Sequence, residues 1–169
     1  IKKIIIKSKI LFMSNKYINI YNNLVNLTRN KELYKNFFKQ DTFSDRLILF
    51  LFHFAFFLKV FKKNNKKDLL QDIYDEIFRY LELSIREMGY GDVTINKKMK
   101  NYLSIFHLIL DEVSNWENKS DSKKSKILSN FLDIEKKTSN LIIYFDNYIT
   151  NLSNNTLNFY IKGVVKDKF

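Results

Sequence analysis

The chain contains no cysteine and no proline, and only three of its 169 residues are glycine. Without cysteine there is no disulfide, no thiol nucleophile and no cysteine metal site, and nothing points to an oxidising compartment. Without proline, and with so little glycine, material for tight turns is scarce. That disfavours a many-stranded β architecture and favours long helices joined by short connections. The length fits one domain able to bury a core of its own. Asn, Lys, Ile and Phe are abundant instead. This is the usage of an AT-rich genome, so part of the positive charge reflects mutational drift rather than a partner.

That charge is uneven. Lys and Arg outnumber Asp and Glu by 29 to 18, a formal net of +11. Residues 1–68 hold 15 basic and 4 acidic side chains, residues 69–117 hold 5 and 9, and residues 118–169 hold 9 and 5. A basic first third beside an acidic middle suits an anionic partner such as membrane headgroups or RNA, and suits equally a helical protein kept soluble by lysine. Residues 1–12 precede the first methionine, Met13, and are basic with short apolar runs too short for a signal-peptide core. We read them as an extension ahead of the true start, leaving 13–169 as one helical domain.

The apolar spacing is helical throughout. Tyr17, Ile20, Tyr21, Leu24 and Leu27 form a first stripe, with a break near Asn30 before Leu33, Tyr34, Phe37 and Phe38. Asp41-Thr42-Phe43-Ser44-Asp45 carries the acids and hydroxyls of a helix start. The run Leu47 to Phe61 follows, apolar nearly all round. A membrane span needs about 20 apolar residues. This run is shorter and holds His53 and Lys59, so it reads as a central helix (about 45–61) wrapped by the others, or in part as a membrane-surface element. After a polar loop at Lys62–Lys67, Leu70, Ile73, Tyr74, Ile77, Leu81, Ser84, Ile85 and Met88 make one stripe. Asp75–Arg79 and Glu82–Arg86 make acid-first ion pairs on the other face. A further stripe runs Met99, Tyr102, Leu103, Phe106, Leu110, Val113 and Trp116. A polar linker, Glu117 to Lys126, precedes two or three last helices ending near Gly163. The whole predicts an all-α protein, a compact bundle of about six to seven helices.

Chemistry-bearing patterns are few. His53 in the apolar run and His107 beside a stripe read as core or packing histidines. There is no Ser-His-Asp order, phosphate loop or metal-spaced histidine pair. Asp72, Asp75 and Glu76 share a helix face and have the composition of a Mg²⁺-binding cluster, but the only acids to face them, Asp111-Glu112, match poorly. A solvated acidic face is the better account. We expect no catalytic residue, no metal and no cofactor.

The most distinctive stretch is Arg86-Glu87-Met88-Gly89-Tyr90-Gly91-Asp92, followed by Lys97-Lys98-Met99-Lys100. Two of the three glycines fall here. Gly89 follows Met88 where helices end on a left-handed residue, and Gly91 supplies a second free dihedral pair. Asp92 or Thr94 then caps the next helix. Lys97, Lys98 and Lys100 would lie in its first turns, where the helix dipole disfavours cations and something anionic should offset them: Glu87, Asp92 or a partner.

This ordered motif, with the capped apolar helix before it, resembles the ubiquinol–cytochrome c chaperone family, whose pattern is Arg-Glu-Met-Gly-Val-Gly-Asp and a Lys-Lys-Met-Lys-like run. The resemblance is strong over roughly residues 41–103 and looser beyond, including the Gly163-Val164-Val165 ending. Tyr90 replaces the family's small apolar residue, and Ile105-Phe106-His107-Leu108 stands where the family often has an aromatic-Tyr-Gly-Arg stretch. The resemblance implies a non-catalytic all-α assembly chaperone for the cytochrome bc1 complex (respiratory complex III) that holds newly made cytochrome b. It also implies a possible co-chaperone and ribosome contact, no DNA, and a soluble or peripheral place on the cytoplasmic side of a bacterial inner membrane (mitochondrial in a eukaryote). Candidate partner-binding residues are Arg86, Glu87, Met88, Gly89, Gly91, Asp92, Lys97, Lys98 and Lys100. That reading expects an apolar groove beside the joint. The alternative, a basic helical module for RNA, the ribosome or an anionic membrane surface, expects a continuous Lys/Arg surface from residues 31–67.

Overall fold

The computed structural model describes residues 15–31, 33–34, 42–134 and 138–163. The extension 1–12, Met13, Phe37, Phe38, Asp41, Val164 and Val165 lie outside the described residues. So does part of the basic 31–67 surface.

Seven α-helices are formed among the described residues: α1 (Ile18–Thr28), α2 (Phe43–Phe61), α3 (Lys67–Glu87), α4 (Asp92–Val113), α5 (Asp121–Phe131), α6 (Thr138–Ser153) and α7 (Leu157–Lys162). A 3₁₀ turn, Trp116–Asn118, joins α4 to α5. The all-α reading and the central apolar helix are both borne out.

Helix α2 starts as its sequence predicts. Thr42 Oγ1 accepts from the Asp45 amide at 3.1 Å and donates to the Asp45 carboxylate at 2.6 Å, a reciprocal cap on the free first turn. Residues 49–57 are then buried without interruption. A helix buried all round must be covered all round. Helices α1, α4 and α6 pack along it, and aromatic contacts complete the sleeve. Phe54 meets Phe106 of α4 at 5.2 Å and Phe78 of α3 at 6.0 Å. Phe52 meets Phe131 of α5, Phe56 meets Trp116, and Phe57 meets Tyr160 of α7. Each fully buried Phe contributes about 2 kcal/mol of transfer free energy.

His53 sits inside this core, fully buried, as expected of a satisfied core histidine. Its Nδ1 lies 2.6 Å from the Leu49 carbonyl, which only accepts, so Nδ1 carries the proton. Nε2 is then the acceptor and Tyr144 Oη donates to it at 2.7 Å. Tyr148, one turn further along α6, donates to the His53 backbone carbonyl at 3.3 Å. Burial pushes the imidazole pKa down to about 4, against the small upward pull of the Leu49 carbonyl.

Four sequence expectations are corrected. The stretch from Asp121 to Lys126 is helix, not linker. Ser120 accepts from the Lys123 amide as its cap, and Lys124, only 7% exposed, is anchored by both carboxylate oxygens of Asp146 at 3.0 and 3.1 Å. Trp116 lies in the 3₁₀ turn, where its indole donates to Asp146 at 2.7 Å. Arg79 pairs with Glu76 one turn back, not with Asp75, which accepts from Gln71 instead. On α3 the buried face takes in Phe78 and Tyr80, because α2 and α1 contact it on two adjacent sides, whereas Met88 lies past the helix end and is half exposed.

Two outcomes follow. The unfolded chain takes up a proton at His53 once pH falls below about 6.5, while the folded core resists until about 4. That stabilisation is therefore whole above the unfolded pKa and is lost as pH falls; urea melts should show about 2 kcal/mol of loss between about pH 7 and pH 5, abolished in His53→Phe. Asp146→Ala strips Lys124 and Trp116 of their acceptor. It should cost about 2 kcal/mol in chemical denaturation, below the full buried-pair penalty because Asp146 is partly exposed, and adding Lys124→Met should recover part of it.

Candidate functional site

Helix α3 ends where Met88, with φ −75° and ψ −1°, hands over to Gly89 at φ +87°. The Gly89 amide donates to the Arg86 carbonyl at 3.0 Å, closing the last turn. Gly91 behaves differently from expectation. Its φ of −71° and ψ of 155° are ordinary extended values, and it is itself the cap position of α4, with no side-chain cap bond. Neither Asp92 nor Thr94 caps; Asp92 is the first helical residue.

Asp92 is instead engaged by Arg86. The guanidinium donates through Nε and Nη2 to Glu82 Oε1 at 3.0 and 2.8 Å, and through Nη1 to Asp92 Oδ1. Hydrogen bonds to Glu82 and Asp92 raise its pKa above the ordinary arginine value. One cation thus ties the last turn of α3 to the first residue of α4 in a wet setting, where such a pair guides geometry more than it stabilises. Glu87 is exposed, with no ion-pair partner among the described residues.

The lysines are placed further along than expected. Because α4 begins at Asp92, Lys97, Lys98 and Lys100 fall in its second and third turns, beyond the reach of the dipole. The dipole penalty therefore disappears, and Asp92 is a favourable acid in the first turn. No carboxylate pairs with these lysines among the described residues; the Lys98 ammonium sits 4.7 Å from the centre of the Tyr90 ring. Met88, Tyr90 and Val93 are 49, 40 and 85% exposed around the joint.

Beside the joint lies a groove of about 210 Å³ between α1, the start of α2 and the end of α3. Its walls are Tyr21, Val25, Phe43, Leu47, Phe50, Leu81, Ile85 and Met88, with Thr28, Ser84, Arg29 and Arg46 adding polar groups. Tyr21 and Ser84 share a 2.7 Å hydrogen bond across it, and the Arg46 guanidinium lies 5.6 Å from the Tyr34 ring. Met88 and Phe43, the latter 47% exposed, stand open to solvent at its edges. An apolar surface with polar groups around it suits capture of an apolar side chain rather than bond-making. Of the motif residues, only Met88 lines it. Phe43, Arg29 and Arg46 were not singled out from sequence, although Phe43 continues the Leu47, Phe50, Phe54 spacing one turn outward.

Elsewhere, Asp72 and Asp75 face solvent and Glu76 is held by Arg79. No cluster of three or more metal-type ligands occurs among the described residues. His107 is exposed and stacks on Tyr74, whose hydroxyl lies 3.1 Å from its Nε2. Among the described residues, no helix is long and apolar enough to cross a membrane.

The two glycines should respond oppositely to serine, since neither has a neighbour within 4 Å of an added Cβ. Gly89→Ser, forced to positive φ, should cost about 1 kcal/mol. Gly91→Ser, gaining a cap hydroxyl, should stabilise by about 0.3 kcal/mol; thermal melts read both.

No curated protein matches the chain. The crystal structure of the Cbp3 homolog from Brucella abortus has the same fold, with a TM-score of 0.69 at 22% identity over 98% of this chain and 95% of that one. The family model described as ubiquinol-cytochrome C chaperone matches residues 35–133, more than half the chain and the whole of the capped helix, joint and lysine run. By that match, the chain belongs to the ubiquinol–cytochrome c chaperone family.

Proposed function

We propose that this protein is a non-catalytic assembly chaperone of the cytochrome bc1 complex that holds newly made cytochrome b by an apolar segment docked in the α1–α2–α3 groove. The observation that carries the reading is the groove itself. It opens beside the family motif and is lined by large apolar side chains, two of which, Phe43 and Met88, remain about half exposed. Exposed apolar surface rimmed by polar groups is what a protein partner covers.

The joint residues divide their work in this reading. Gly89 turns the chain so that Met88 forms a wall, and Arg86 locks that turn through Glu82 and Asp92. Gly91 lets α4 begin at once. Arg29 lines the groove, and it and Glu87 act in opposite directions on the Tyr21 hydroxyl. The work of such a protein is to shield apolar surface until partner subunits arrive, on the cytoplasmic face of a bacterial inner membrane. It needs a partner surface and no reacting group, consistent with a chaperone family.

Replacing an anchor by a charge tests this. Phe43→Glu and Met88→Glu alter half-exposed side chains and should leave the helical content and melting temperature close to wild type. Each should weaken co-purification of cytochrome b about ten-fold or more, the loss expected when a hot-spot anchor worth over about 1.4 kcal/mol is removed. Loss of the gene should deplete assembled complex III; normal complex III with intact cytochrome b would sink the proposal.

A further inference from the structure

The α3–α4 tip presents features that capture in the groove leaves unused. Val93, at 85%, is the most exposed large apolar side chain among the described residues, and Met88 and Tyr90 flank it. The tip is open at its two glycines, with no atom within 4 Å of where a side chain would begin at Gly89 or Gly91. Val93, Lys97 and Lys100 follow i, i+4, i+7 spacing and share the face of α4 away from buried Ile95, Met99 and Tyr102. At 1.5 Å per residue, the two lysines stand about 6 and 10 Å behind Val93 along the axis.

We propose that this tip docks on an anionic phospholipid bilayer. Met88, Tyr90 and Val93 enter the headgroup layer, and Lys97 and Lys100 meet the lipid phosphates. Charge complementarity selects the occupant. Arg86 offsets only one of its two carboxylate partners, Glu82 and the 80% exposed Asp92, and Glu87 adds another exposed acid; the three lysines, with no carboxylate partner among the described residues, still leave the tip net positive, with Lys97 and Lys100 on the Val93 face. An apolar apex with flexible cations one and two turns behind matches the depth order of a membrane interface, where lysines reach back to the phosphates and tyrosine sits at headgroup level. A nucleic acid would need an open stacking face, whereas Lys98 lies over the Tyr90 ring. The inference goes beyond the client reading and stands without it. Since Met88 belongs both to the tip and to the groove wall, docking would set the groove mouth at the membrane surface.

The test is co-sedimentation of the full chain with vesicles of phosphatidylcholine alone or containing phosphatidylglycerol. Binding is expected only to the second, falling with added salt. Lys97→Gln and Lys100→Gln should each lower the partition about five-fold. Val93→Ser should weaken it at unchanged salt dependence, and Val93→Trp should show a blue-shifted emission on binding; circular dichroism checks that each variant is folded. Equal binding to both vesicle types, variants that partition like wild type, or an unshifted Val93→Trp emission would overturn the proposal. So would equally tight, Val93-independent binding to polyuridylate, which would mark a nucleic-acid surface. Wild-type protein that captures cytochrome b yet ignores both vesicles sinks this inference alone, and the reverse result sinks only the client reading.

Discussion

Everything in the molecule follows from covering α2. A helix buried without interruption from Leu49 to Phe57 has no solvent face to orient it, so its neighbours must do so. Phenylalanines projecting in every direction set which helix lies where: Phe54 gathers α3 and α4, Phe56 the 3₁₀ turn, Phe52 α5 and α6, and Phe57 α7. Close packing of rings leaves little tolerance for volume change, so the outer layers are held indirectly by the same helix.

The groove proposed for the client lies where that cover runs out. At the first turns of α2 the apolar stripe continues through Leu47 to Phe43, and a groove is left there between α1, α2 and α3. The joint after α3 then decides how wide that groove is, since Met88 stands at the point where the chain reverses. A glycine at positive φ and a shared arginine are modest devices by energy, yet they fix the position of a side chain that the core does not hold.

Much of this was legible in the sequence. The periodicities located the helices, the run from Leu47 to Phe61 identified the central one, and the glycine joint with its lysine run identified the family. What periodicity misses is context. The 117–126 stretch read as a linker because its charge hides the fact that Lys124 folds inward to Asp146, a partner 22 residues away. The lysines escape the dipole because α4 starts at Asp92, seven residues before Met99, the first residue of its apolar stripe. Arg29 and Arg46 carry no local pattern at all. They line one groove because α1 and α2 pack together, which no single-helix reading displays.

The clasp on His53 has one more consequence. Tyr144 and Tyr148 come from adjacent turns of α6, and one grips the imidazole while the other grips the backbone of the same residue. Aromatic packing alone would tolerate α6 sliding a turn along α2, because one phenylalanine offers much the same surface as the next. The two hydroxyls do not, since a shifted helix would leave a ring nitrogen and a carbonyl buried without donors. In a core of aromatic and aliphatic side chains that make no directional bonds, this pair acts as the key that admits a single register.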